Sequence, residues 1–194
     1  LAEAQRDAQH VGQMSRQAIA ALQEAKDTIE ALLDISKLEA GHAVFDIRPI
    51  SLGAILTSLA DEMRAVADSK GLTLKLIPTS ATVLSDPISL RRILHHLLSN
   101  AIADTDTGAV LIEAQEQSDK TVTIIVRDTV RDIAAEDQPH IFPVSASNKR
   151  AHDDANGLGH NLTILQRVCD ALGHRMTLNS EVGLGGCFSV NVAR

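Results

Sequence analysis

Apolar residues recur three and four apart through the first forty positions: Val11, Met14, Ala18, Ala21, Ala25, Thr28, Leu32 and Ile35. That spacing predicts one long helix over residues 2–40 with a coiled-coil-like seam. Leu22, Ile29 and Leu33 widen the stripe to the width a helical bundle buries. A lone helix of this length cannot bury such a stripe, so partner helices, in a second copy of the chain, are expected. Gly41 closes the pattern as a C-terminal cap, and Pro49 keeps the residues beyond it extended. A second helix is predicted over 51–69, with Ser51 as N-cap and Leu52, Ile55, Leu56, Leu59, Met63 and Val66 as its apolar face. Leu72, Leu74 and Leu76 alternate with polar neighbours as in a strand, and Ala81 to Leu84 reads as a short second one.

The strongest pattern follows. Asp86-Pro87 opens a helix to about 103 in which Leu90, Ile93, Leu94, Leu97, Leu98 and Ala101 share one face. Asn100 falls on or beside that face, where an amide needs a partner. It is either a packing amide bonded to nearby backbone or a functional one. A hairpin is predicted from 109–116 and 121–127. From Thr129 to Asn156 no periodicity holds, as in a lid or a disordered stretch. Gly157-Leu158-Gly159 leads into a helix predicted over 161–172, and two strands around Gly183 to Gly186 close the chain. Helix, strand, helix, strands, lid, helix, strands describes an α+β, two-layer sandwich with a mixed sheet covered on one face by helices. Two domains are expected: 1–41, the long helix, and 42–194, the sandwich.

Composition narrows the function. The 194 residues include no Trp, no Tyr and three Phe, and the net charge is −7. An aromatic platform for single strands and a basic face for nucleic acid are both missing, so no nucleic-acid partner is expected. No apolar run reaches the roughly 20 residues that cross a bilayer. Cys169 and Cys187 fit neither a disulfide framework nor a metal motif and read as buried thiols of a cytosolic protein. The adjacent His95 and His96 do not share a helix face, which argues against a metal pair.

The run Asp-Pro-x-x-Leu-Arg-Arg-Ile-Leu-x-x-Leu-Leu-Ser-Asn-Ala-Ile at 86–102 resembles the asparagine motif in the ATP-binding domain of two-component sensor histidine kinases. Leu-Leu-Asp-Ile-Ser-Lys-Leu-Glu-Ala-Gly at 32–41 is similar to that family's junction between dimerisation helix and catalytic domain. The resemblance covers nearly the whole chain. It implies the Bergerat-type ATP-binding fold preceded by the second helix of the dimerisation domain, ATP and Mg²⁺ as cofactors, and a cytoplasmic homodimer formed through a helical bundle. It also implies a response regulator or partner kinase as the docking partner.

Residue by residue, the resemblance gives Asn100 the Mg²⁺, Asp128 the adenine amino group, and Gly157 and Gly159 the phosphates. Asn161 stands where the family has a third glycine of that loop. His96 stands where many relatives carry a second polar metal-side residue. The family's D-x-G-x-G reads Asp128-Thr129-Val130-Arg131-Asp132, so both glycines are replaced. Ala103 replaces a cation near the phosphates. Lys149 and Arg150 in the lid are candidates to compensate for it. Ile141-Phe142-Pro143 resembles the phenylalanine box without its second Phe. None of the eight histidines fits the phospho-acceptor pattern; the acceptor helix is expected to lie upstream of Leu1, to be disordered or to have been removed. These departures imply a weakened or lost ATP site, which leaves two classes open: an active kinase, or a pseudokinase or phosphotransfer scaffold.

Overall fold

The computed structural model describes residues 44–117, 120–128, 158–181 and 185–194. The predicted long helix, the lid with Val130, Asp132, Lys149 and Arg150, and Gly157 lie outside the described residues. Contacts divide the chain between His42 and Ala43, and every described residue belongs to the second unit.

The described elements run β1 (Arg48–Ser51), α1 (Leu52–Ser69), β2 (Thr73–Leu76), β3 (Thr82–Ser85), α2 (Pro87–Asp104), β4 (Ala109–Glu116), β5 (Thr121–Asp128), α3 (Leu158–Ala171), β6 (Arg175–Glu181) and β7 (Gly185–Ala193). Five strands form one sheet in the order β2-β4-β5-β7-β6, and β1 pairs β3 in a separate ribbon. β2 runs parallel to β4 and every other pairing is antiparallel. The sheet is therefore mixed, as the element order predicts. α1 packs on β2, α2 on β4 and β5, and α3 on β6.

The period-two alternation of the strands assigns the two faces. Val110, Ile112, Val122, Ile124, Val126, Val190 and Val192 are buried on the inner face, against Leu90, Ile93, Leu94, Leu97 and Leu98 of α2. The outer face carries polar cross-strand pairs: Thr177 and Ser189 hydroxyls lie 2.6 Å apart, and Thr123 donates to Asn191 Oδ1 at 2.7 Å. Apolar burial on one face and satisfied polar pairs on the other suit a two-layer sandwich.

Helix ends follow local rules. Asp86 caps α2 by accepting from the Ser89 N–H at 2.7 Å, with Pro87 in the first turn. α1 and α3 both end at a glycine in the left-handed region, Gly71 and Gly173, each at φ +72°. The following residues close the helices by the six-to-one bonds of a Schellman motif, Leu72 N–H to Ala67 O and His174 N–H to Cys169 O. Ser51 precedes α1 without a side-chain cap bond; instead the Leu52 N–H donates to Ala81 O at 3.1 Å. In α1 a glycine is required for space: a Cβ on Gly53 would stand 2.2 Å from the Thr79 carbonyl oxygen.

Connectivity sorts these features between two ends. α2 is 18 residues long, or about 27 Å. Its C-terminus passes through four residues into β4, whose second residue, Val110, is in register with Asp128 at the end of β5. Gly186 of β7 lies at that same end, which is called here the open end. α3 finishes three residues before β6, whose first residue pairs Asn191 near the finish of β7. α3 therefore runs back along the sheet and delivers its N-terminus to the open end. The starts of α1 and α2 lie at the opposite, closed end.

Candidate functional site

Sequence-predicted residues from three elements, β5, α2 and α3, are brought to the open end. Asp128 is the last residue of β5 and shares the inner face with Val126, so its side chain projects toward the helical layer. It is buried, and its Oδ1 accepts the Gly186 N–H at 3.1 Å. This bond ties the end of β5 to β7. Asn100 lies in the last turns of α2, one residue before buried Ala101. Its Nδ2 is buried and has no hydrogen-bond partner among the described residues. An amide in that position costs roughly 1–3 kcal/mol when it stays unpaired. His96 lies one turn earlier on the same helix face, also buried.

Gly159 is in the first turn of α3, which begins at Leu158, three residues earlier than the glycine pattern predicts. Glycine is a poor helix former, which is why the sequence reads as loop there; the continuing frame through Leu162, Leu165 and Val168 carries the helix over it. Asn161 is in the same helix. The backbone N–H groups in the first turn of an α-helix have no intrahelical partner, and α3 brings that turn to the open end, a favourable place for anions.

The turn that carries Asn100 is held from two sides. Buried Thr105 donates both its N–H, at 3.2 Å, and its hydroxyl, at 2.6 Å, to Ala101 O. Lys70, at the end of α1, donates from Nζ to the carbonyls of Ile102 and Ala103, each at 2.7 Å. Sequence reasoning passed over Lys70, which reads as one more solvated surface charge.

The closed end carries the perturbed titratable groups. Burial alone would raise the Asp86 pKa. The backbone N–H groups of Ser89 and Asp46, the Ser89 hydroxyl and the Ile88 N–H outweigh it, and the carboxyl sits below its ordinary 3.8. His174 is buried, with Nε2 hydrogen-bonded to Ser85 Oγ at 2.7 Å. Burial holds its pKa below the ordinary 6.5 against an opposing backbone contact at Gly173. Burial, with the neighbouring Asp170 charge, pushes the Cys169 thiol up to about 12, an inert thiol. Among the described residues no three His, Cys, Asp or Glu side chains converge on a metal position. No helix of the described residues is long and apolar enough to cross a membrane.

Comparison with known proteins agrees with this fold. The sequence signature of the histidine kinase-, DNA gyrase B-, and HSP90-like ATPases matches residues 85–194. The chain is 28% identical over 166 residues to the aerobic respiration control sensor protein ArcB of Escherichia coli (strain K12), covering 83% of this chain and 21% of that protein. It is 32% identical over 173 residues to the signal transduction histidine-protein kinase BarA of the same organism, covering 82% of this chain and 18% of that protein. The chain thus spans about a fifth of the curated relatives it matches. The crystal structure of full-length ShkA in complex with AMPPNP superposes with a TM-score of 0.69 at 26% identity, over 92% of this chain and 39% of that one. The Acinetobacter baumannii histidine kinase AdeS shares the fold at a TM-score of 0.67 and 20% identity, over 85% of this chain and 76% of that one.

Proposed function

Since the chain belongs to the histidine kinase-, DNA gyrase B-, and HSP90-like ATPases, we propose that it is the ATP-binding portion of a sensor histidine kinase in two-component signalling, with an affinity for Mg–ATP weaker than an intact site would have. The observation that carries this reading is the buried Asn100 amide nitrogen, without a hydrogen-bond partner among the described residues, at the end where Asp128 and the first turn of α3 also lie. A half-turn of that amide exchanges its donor and acceptor ends, so it suits either a phosphate oxygen or a metal. A Mg²⁺ ion held by one protein oxygen together with substrate phosphates needs no cluster of carboxylates. The residues present therefore fit Mg–ATP: Asn100 on the metal, with His96 beside it, Asp128 on the adenine amino group, and Gly157, Gly159 and Asn161 along the phosphates. Mg²⁺, when bound, bridges and neutralises phosphate oxygens, which is the main requirement of phosphoryl transfer.

The weakening is assigned to Val130, Asp132 and Asn161, where the family has glycine, and to Ala103, where it has a cation. Val130 resists the positive φ that glycine permits, and Asp132 adds negative charge near a polyanion. Residues 1–41 serve in this reading as the second dimerisation helix, pairing two copies in the cytoplasm. Transfer to a histidine and then to a response regulator is assigned to the whole protein. A second reading is favoured by the same lost glycines: a pseudokinase scaffold that docks a partner kinase or response regulator. Calorimetry with Mg–ATP separates the two. Weak saturable binding that tightens about tenfold or more when Val130, Asp132 and Asn161 are all changed to Gly supports the proposal. No binding even after those changes favours the scaffold.

A further inference from the structure

We propose that Lys70 is a positioning residue of the nucleotide site, supplying from α1 the positive charge that the last turn of α2 lacks. The inference rests on the nucleotide reading given above. A helix C-terminus gathers roughly half a negative charge on its unpaired carbonyls. The C-terminus of α2 lies at the open end, where a triphosphate would add several more. A basic residue in the last turn would offset this, yet α2 has none, and position 103 is alanine.

Lys70 is free to make up the deficit because its own helix does not need it. α1 is closed without the Lys70 side chain, through the N–H groups of Lys70, Gly71 and Leu72 onto Ala67 and Asp68 carbonyls and the Ser69 hydroxyl onto Val66 O. The side chain instead crosses to α2, and its ammonium takes the Ile102 and Ala103 carbonyls at 2.7 Å each. Thr105 already holds the Ala101 carbonyl. Two residues outside the helix thus satisfy three successive carbonyls directly after Asn100. They fix the turn that aims its amide, and Lys70 alone of the two brings charge.

The test uses the full 194-residue chain, titrated with Mg–ATP by calorimetry or by NMR, together with thermal unfolding of each variant. Lys70→Met should weaken Mg–ATP binding roughly two- to fivefold, the range expected for one charge at a helix terminus. Lys70→Arg, which keeps charge and donors, should restore it. Unchanged affinity in Lys70→Met overturns the inference and leaves the nucleotide site standing. So does failure of Lys70→Arg to restore binding, which would make the lysine a packing element only. A wild-type chain that binds no Mg–ATP overturns both readings together, an outcome the variants cannot mimic.

Discussion

The two ends of the sandwich are built from the same elements to opposite purposes. At the closed end, α2 starts on an aspartate that accepts two backbone N–H groups, Ser89 at 2.7 Å and Asp46 at 2.9 Å. Ser85 and His174 join β3 to the α3–β6 corner, and Gly53 lets α1 lie against the Thr79 backbone. At the open end, the same helix finishes beside a buried amide nitrogen without a partner among the described residues and a buried carboxylate that accepts the Gly186 N–H. The closed end is organised for stability. Both ends keep a buried side-chain nitrogen without a hydrogen-bond partner among the described residues, Nδ1 of His174 at the closed end and Nδ2 of Asn100 at the open end. The His174 ring is anchored through its other nitrogen to Ser85, whereas the Asn100 nitrogen lies at the end shared with Asp128 and the first turn of α3, where a ligand would repay its cost. Changes at the two ends should therefore separate: stability lost at one, binding lost at the other.

The largest effect on stability is expected from Gly53→Ala. Its new Cβ would meet a backbone oxygen, and relief requires moving α1 or the Thr79 loop. A loss of about 2–3 kcal/mol in urea unfolding is expected, with the nucleotide affinity of the folded protein unchanged. A comparable loss of affinity would show that the ends are not independent.

Asp86→Ala should cost about 1–2 kcal/mol. The native carboxyl has a lowered pKa, so its contribution is complete above the ordinary value of 3.8 and disappears as pH falls through the lower folded value. The variant should lose that part of the acid dependence, read as a difference in unfolding midpoints between pH 6 and pH 3. If the pH profiles of the two proteins run parallel, the cap is not the source.

His174 gives a smaller, separable effect. Its folded pKa is depressed, so the unfolded chain takes up a proton first. Stability is full above 6.5, declines as pH falls below it, and levels off below the folded value. His174→Gln, which keeps a polar tip near Ser85, should flatten the decline on the acid side of 6.5. A slope unchanged by the substitution would assign it to other histidines.

The smallest shift is at the open end. Asn100→Leu removes an amide nitrogen that has no partner among the described residues and puts an apolar side chain of similar size in its place, and stability should hold or rise by up to about 1 kcal/mol. A loss of 2 kcal/mol or more would mean that the amide is a structural bond, and the contrast between the ends would fail.

What could be read beforehand divides along similar lines. α2 was legible because its start, its stripe and its asparagine all lie within seventeen consecutive residues. The inner-face strands were legible from alternation, and Asp128 only through the family resemblance of the residues around it. β1 was not, because four residues containing Pro49 carry no periodicity and the strand exists only through β3. The Ser85–His174 bond joins residues 89 apart, and no local pattern marks either as the other's partner. Gly53 reads as a weak helix residue until the Thr79 carbonyl is in place. Lys70 reads as solvent-facing until the end of α2 stands beside it. Local chemistry is visible in sequence; contacts that depend on two distant elements meeting are not.

The central claim is that Asn100 and Asp128 serve one nucleotide at the open end. It is tested most directly by NMR titration of the chain with Mg–ATP, beside Asn100→Ala and Asp128→Asn variants whose folding is confirmed by their own spectra. The account predicts saturable shifts centred on the end of α2, the end of β5 and the first turn of α3, with affinity at least about tenfold weaker in each variant. Shifts confined to the closed end, or two folded variants that bind Mg–ATP as well as the parent, would contradict it.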